Sequence, residues 1–252
     1  MVKSVIKRVK PKHGFAHFFH MGLVSIVPVL AYIFIRLDFF GLAIAIVLLS
    51  KWRMLAVKPR HWIAHIRTNA VDIVVSLSLI SFMIVSMDSL WLQLFWLVAF
   101  EVWLLIIKPR TSILMISIQA LLAQALGLTA IFLSYETAPA GVYIILTFIV
   151  SYFSCRHFFN AYEETHGVQY SWMWAFFATS LVWILSHWLL FYDLIAQPAV
   201  ILTIIAYGLG GLYYLHEHDK LTMLVKRQIV FVVFALLFVI IAFSNWGEGI
   251  VK

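Results

Sequence analysis

Charged residues are scarce in this chain. Only 12% of its 252 residues are charged, about half of the roughly 25% found in an average globular protein. In contrast, 64% are hydrophobic, and the mean hydropathy is +1.00. These values exclude a disordered chain, a collagen-like repeat and an ordinary soluble enzyme, and they indicate an all-α polytopic membrane protein.

Several chemical signatures are absent as well. Cys155 is the one cysteine, so the chain cannot form an internal disulfide. The sequence contains no Gly-x-x-x-x-Gly-Lys loop, no Gly-x-Ser-x-Gly elbow and no His-Glu-x-x-His pair. No lysine lies deep in an apolar run, which excludes a retinal Schiff base. We therefore expect no cofactor, and the sequence leaves open whether the protein is an enzyme.

Long apolar runs predict the membrane spans. A spanning helix needs about 20 mostly apolar residues. Nine segments of the sequence approach this length: 14–35, 37–55, 69–86, 90–107, 112–133, 139–158, 171–192, 197–215 and 228–244. The second is the weakest, because its apolar core covers only about half a bilayer; a re-entrant or interfacial segment is the alternative, which would leave eight spans. If it spans, Lys51 and Arg53 must extend to the interface.

The distribution of basic residues predicts the orientation. With nine spans and a cytoplasmic N-terminus, 16 of the 18 lysines and arginines fall on the inner side, as the positive-inside rule requires. The C-terminus is then external. We expect one polytopic domain over 1–252 with a basic cytoplasmic segment at 1–13, in the plasma membrane. The net charge of +7 lies in short loops, which favours an anionic inner leaflet as partner rather than nucleic acid.

Four polar side chains are predicted to lie at similar depth in the inner half of the membrane. These are Asp72, Glu101, Gln119 and His20, each on a different helix. Charged groups inside a bilayer are costly and therefore suggest a functional site. We expect a substrate- or ion-binding site here, with His17 beside His20, if the four helices converge. The alternative is that each group is satisfied separately, Asp72 as an acid in the first turn of its helix.

The histidines and a repeated basic motif offer weaker signals. Two histidine sets have helical spacing and are weak candidates for metal ligands, although we expect no tightly held metal: His13, His17 and His20, then His61 and His65. The sequence Lys-Pro-Arg occurs twice, 50 residues apart. Its cations are candidates for binding an anion or a lipid headgroup: Lys58, Arg60, Lys108 and Arg110.

Two features of the predicted helices concern packing. Pro28 should kink the first helix near Ser25. The glycines of Tyr207-Gly208-Leu209-Gly210-Gly211 should let another helix approach closely, and a ligand passage is the functional alternative.

Three functions are compatible with these observations. The first is a small carrier or an ion- or proton-coupled permease, which carries a small ion or metabolite through the inner polar site. The second is a membrane-embedded enzyme that acts on a lipid or a lipid-linked phosphate. The third is a non-catalytic subunit of a membrane complex, partnered by a companion subunit or a second copy of this chain. The sequence names no substrate.

Overall fold

The computed structural model is a bundle of α-helices. It describes the backbone of residues 15–52, 58–134, 138–185 and 196–243, with side chains from residue 21 onward. Within these ranges there are no strands, and nine α-helices follow one another: α1 Phe15–Arg36, α2 Phe40–Ser50, α3 Trp62–Val85, α4 Leu90–Val102, α5 Ile113–Ser134, α6 Ala140–Ala161, α7 Gly167–Leu185, α8 Gln197–Glu217 and α9 Met223–Ala242. The basic segment 1–13, His13 and the predicted external C-terminus lie outside the described residues.

Seven helices of the described ranges are long and apolar enough to cross a membrane. They are α3, α4 with its continuation to Ile107, and α5 to α9. The fully described part of α1, Met21–Arg36, is a shorter apolar helix. The protein is therefore a multi-pass helical membrane protein.

α2 does not fill the span expected over 37–55. It has 11 residues, which at 1.5 Å per residue gives roughly 16 Å, about half of the hydrocarbon core. The helix is capped by Lys51, whose backbone N–H donates to the carbonyls of Leu48 and Leu49. α2 alone is therefore too short to cross a bilayer, and the end of the expected span, 53–55 with Arg53, lies outside the described residues.

Two hydrophobic clusters hold the bundle together. The first joins α1 to α5 and includes Ala31, Val47, Met83 and Phe100. The second joins α5 to α8 and includes Leu128, Tyr143, Val182 and Leu202. α5 contributes to both clusters, so it connects the two halves of the bundle.

Small residues allow close helix packing at two places. A β-carbon on Gly127 of α5 would lie 2.7 Å from Val150 of α6 and 2.8 Å from Val74 of α3, so α5 is held tightly between these helices. A β-carbon on Gly208 of α8 would lie 2.5 Å from Val233 of α9. This confirms the close approach expected of these glycines at Gly208, but not at Gly211, where a β-carbon would meet nothing within 4 Å. α9 nevertheless contains no buried residue.

Candidate functional site

A buried carboxylate lies where α2, α3 and α4 meet. Asp72 Oδ2 contacts the ammonium groups of Lys51, which follows α2, and of Lys108, which follows α4; the Lys108 distance is 2.6 Å. The indole Nε1 of Trp103 donates to Asp72 Oδ1 at 3.0 Å. The Asp72 and Lys51 side chains are 8% and 7% exposed, whereas that of Lys108 is 39% exposed. We call these four residues the Asp72 cluster.

A π-helical turn brings two members of the Asp72 cluster together. α4 continues as a π-helix over Trp103–Ile107, and the Lys108 N–H donates to the Trp103 carbonyl at 2.9 Å. This bond joins residues five apart, so Trp103 and Lys108 lie closer to one face than they would in an α-helix. Single π-turns within α-helices are frequent at functional sites.

The structure contradicts two sequence-based statements about the cluster: the position of Lys51 that a full span over 37–55 would require, and the alternative given for Asp72. Lys51 does not extend to an interface, because its ammonium is buried against Asp72. Asp72 is not a first-turn acid, because α3 begins at Trp62, ten residues earlier than Asp72. The helix begins before the apolar run does, because its first residues, Trp62–Arg67, include both polar and apolar side chains. The Asp72 carboxylate is satisfied by side chains of other segments.

The Asp72 cluster has an unequal number of charges. It contains one carboxylate and two ammonium groups, which sum to one surplus positive charge when all are ionised. The surplus lies at the exposed end of the cluster, since Lys108 is 39% exposed whereas Lys51 is 7% exposed. Lys108 is the group through which the cluster is accessible.

Gln119 of α5 holds the segment that carries Lys108. Its Nε2 donates to the carbonyls of Ile107 and Arg110 at 2.8 and 2.9 Å, and its Oε1 lies 3.1 Å from His157 Nε2 of α6. Because Ile107 and Arg110 flank Lys108, this amide fixes the turn after α4. Gln119 is thus a positioning residue for the cluster, with hydrogen bonds to different partners from those of Asp72.

Glu101 faces α1 rather than Asp72. Its carboxyl group lies beside the Ser25 side chain, one turn before Pro28 in the helix α1. The Glu101 Oε2 atom is buried and has no hydrogen-bond partner among the described residues. Asp72, Glu101 and Gln119 therefore belong to three separate sets of contacts. The side chains of His17 and His20 on α1 lie outside the described ones.

The remaining basic candidates are more exposed. Lys58, Arg60 and Arg110 are all exposed, and Arg60 Nε donates to His61 Nε2 at 2.9 Å. His61 precedes α3 and His65 lies in its first turn; both are exposed. In the described part of the chain, no three His, Cys, Asp or Glu residues are grouped closely enough to hold a metal ion.

A second polar contact joins the α6–α7 loop to α8. The Tyr213 hydroxyl donates to Glu164 Oε2 at 2.6 Å, and the His166 N–H donates to Oε1 at 3.2 Å. Because these hydrogen bonds favour the charged form, they lower the pKa of the Glu164 carboxyl. The preceding residue, Glu163, has φ near 52°. This left-handed conformation turns the chain toward α7.

Sequence reasoning missed Lys51 and Trp103 as partners of Asp72, and His157 as a partner of Gln119. The sequence did contain one indication for Lys51. A lysine that ends an apolar run too short to span the membrane cannot be assumed to reach the interface, and a buried acid is an alternative partner. No family model matches the chain, and no curated protein or solved structure matches it either.

Proposed function

We propose that this protein is a small carrier or an ion-coupled permease, that its polar site is the Asp72 cluster, and that the species accepted there is a small anion. The observation that carries the proposal is the sharing of Asp72 Oδ2 by two lysines. One ammonium group would neutralise the carboxylate. The second leaves a positive charge that a bound anion would balance.

Access to the cluster also supports this function. Lys108 is 39% exposed while Asp72 is 8% exposed, so an anion can reach the surplus charge without first opening the buried Lys51 contact. On the orientation that the basic residues predict, the cluster lies in the inner half of the membrane and receives its anion from the cytoplasm.

Glu101 supplies a group for coupling to protons. Its Oε2 has no partner among the described residues, and an unpaired carboxylate oxygen inside a membrane is costly unless it is protonated or shielded. In this proposal Glu101 exchanges a proton at the α1–α4 contact while the anion binds at the Asp72 cluster.

The experiment compares two lysines of the repeated motif. The purified protein is heated with increasing chloride, acetate or phosphate, and uptake of each anion is measured in proteoliposomes. Lys108→Gln removes the surplus charge; Lys58→Gln, the matched control, removes an exposed lysine from the equivalent place in the first Lys-Pro-Arg. We expect one anion to raise the Tm in a saturable way and to enter the vesicles.

Lys108→Gln should lose both effects, and Lys58→Gln should keep them. Stabilisation by none of the anions, or the same loss in both variants, would refute the proposal. An enzyme that acts on a lipid-linked phosphate would bind phosphate through the same lysines but would carry none into the vesicles.

α9 favours a second candidate, an assembly subunit. It is the most apolar of the seven spans, with a mean hydropathy of 2.5, and none of its residues is buried. Such a helix faces lipid or a companion chain. Crosslinking of the native membrane through a residue of α9 such as Phe234, which is 67% exposed, would give a discrete heterodimer band if the protein is a subunit.

A further inference from the structure

A large cavity lies between α7 and α8, away from the Asp72 cluster. Its volume is about 890 Å³, near the upper end of the 300–1,000 Å³ typical of ligand sites. α7 packs mainly on α6, and α8 packs mainly on α5 and α9, so α7 and α8 leave a gap over the α5–α6 pair. Lining residues extend from Leu114 to Gln124 along α5, roughly 15 Å at 1.5 Å per residue.

The wall of the cavity is mostly apolar and aromatic. Phe158, Trp174 and Phe177 line it, and Phe177 is 46% exposed. In a bilayer this side opens toward the lipid chains rather than toward water. An elongated apolar molecule can therefore enter sideways from the membrane.

Two buried polar atoms of lining residues lack partners. Gln124 is 2% exposed and Ser154 is 3% exposed; Gln124 Oε1 and Ser154 Oγ have no hydrogen-bond partner among the described residues. The Gln124 amide nitrogen is already used, since it donates to Ser151 Oγ at 3.1 Å. Unpaired buried polar groups are rare and need an explanation. A ligand that donates one hydrogen bond and accepts another would satisfy both atoms.

The charges around the cavity limit the ligand further. Among the described residues, the one carboxylic acid that lines it is Glu164, which lies at its loop end and already accepts a hydrogen bond from Tyr213. This carboxylate would repel an anionic headgroup, and no lysine or arginine of the described ranges lines the cavity. A charged headgroup near Gln124 would be buried without a counter-ion. The fitting group is a neutral hydroxyl.

We propose that this cavity binds a single-chain lipid alcohol, with its hydroxyl between Gln124 Oε1 and Ser154 Oγ and its apolar chain extending between α7 and α8 into the bilayer. This site is independent of the Asp72 cluster and of the proposed transport function. It is built from α5 to α8, with Ile229 of α9 at its edge.

The test uses a photoreactive long-chain alcohol with an alkyl diazirine in its chain. The protein in lipid nanodiscs is irradiated with this probe, and labelled peptides are identified by mass spectrometry. Competitors of equal length differ only in the headgroup: octadecenol, oleate and octadecene. We expect label on α6 to α8 at cavity residues, and competition by octadecenol well beyond that by oleate or octadecene.

Three variants separate binding from folding. Gly211 lines the cavity, and a β-carbon there meets nothing within 4 Å, so Gly211→Leu is the variant chosen to occupy the cavity. Gly141→Leu is the matched control, since Gly141 lies in a helix with equally open surroundings but outside the cavity. Ser154→Ala removes one unpaired hydroxyl and should weaken octadecenol competition roughly 2- to 10-fold, the effect of one hydrogen bond.

Gly211→Leu should lower the cavity label to the level of the wild type saturated with octadecenol, while Gly141→Leu should label as the wild type does. Equal labelling of the two glycine variants would overturn the site. Equal competition by octadecene would show that the hydroxyl plays no role. Stronger competition by oleate would show that the site prefers a charged headgroup to a neutral one.

Discussion

Removing the charge of Asp72 should destabilise the protein much more than removing Lys108. In Asp72→Asn the side chain keeps its shape, and its amide oxygen can still accept from Trp103. The two ammonium groups then lack a counter-charge, and Lys51 is only 7% exposed. Removal of one partner from a buried ion pair costs about 3–5 kcal/mol, a large part of the roughly 5–15 kcal/mol that stabilises a typical fold.

Lys108→Met leaves a different charge balance. The Asp72–Lys51 pair that remains is neutral, and Lys108 is 39% exposed, so its contribution should be that of a largely solvated ion pair, about 0–1 kcal/mol. The structure therefore predicts a difference of roughly 2–5 kcal/mol between the two variants, from the difference between these ranges.

The free energy of unfolding is measured by titrating the protein with SDS in mixed micelles and following helix content. The double variant Asp72→Asn/Lys51→Met should recover part of the loss, because it removes one of the two uncompensated charges. An Asp72→Asn protein as stable as the wild type would refute the assignment of a buried carboxylate between two lysines. So would equal losses in Asp72→Asn and Lys108→Met.

Three further outcomes are expected. Glu101→Gln keeps the shape of the side chain beside Ser25 and should unfold within about 1 kcal/mol of the wild type. On the proposed function it should abolish the pH dependence of anion uptake, and uptake that stays pH-dependent would exclude Glu101 as the coupling group. The pKa of Glu164 is lowered by the Tyr213 hydroxyl and the His166 N–H, so its stabilising effect is present above the ordinary carboxyl pKa of about 4.3 and is lost as the pH falls through the lowered value; a pH titration of Tm should show a smaller acid loss in Glu164→Gln, and an unchanged profile would contradict this. A reporter fused after Lys252 should be external and one inserted at Glu163 cytoplasmic, and the same side for both would show that the number of spans is wrong by one.

The positions of the embedded polar residues were predictable from the sequence, but their partners were not. Asp72 and Gln119 lie within long apolar runs, so hydropathy alone places them in the membrane. Their partners Lys51 and Ile107 come from segments 21 and 12 residues away, and periodicity does not specify which helices pack together. The π-turn at Trp103–Ile107 was not predictable either, because this continuous apolar run suits an α-helix equally well.

The predicted helix boundaries were wrong where a helix extends beyond its apolar run. α3 begins at Trp62 and α9 at Met223, each earlier than the apolar run that was expected to define it. Lys226 and Arg227 lie within the first turns of α9, and straight-chain basic residues are good helix formers. A hydropathy reading locates the part of a helix in the lipid and misses the part that extends beyond it.

The placement of polar residues follows the burial of the helices. About half of the residues in the spanning windows of α3 and α5 are buried, whereas none are in α9. Asp72 lies on α3, and Gln119 and Gln124 lie on α5. Since a polar group facing lipid finds no partner, a helix with a larger buried face offers more positions for such groups. Gln119 holds the turn of the Asp72 cluster and Gln124 lines the cavity, five residues further along α5. The same buried helix therefore supports both candidate sites, and its tight packing through Gly127 keeps both in place.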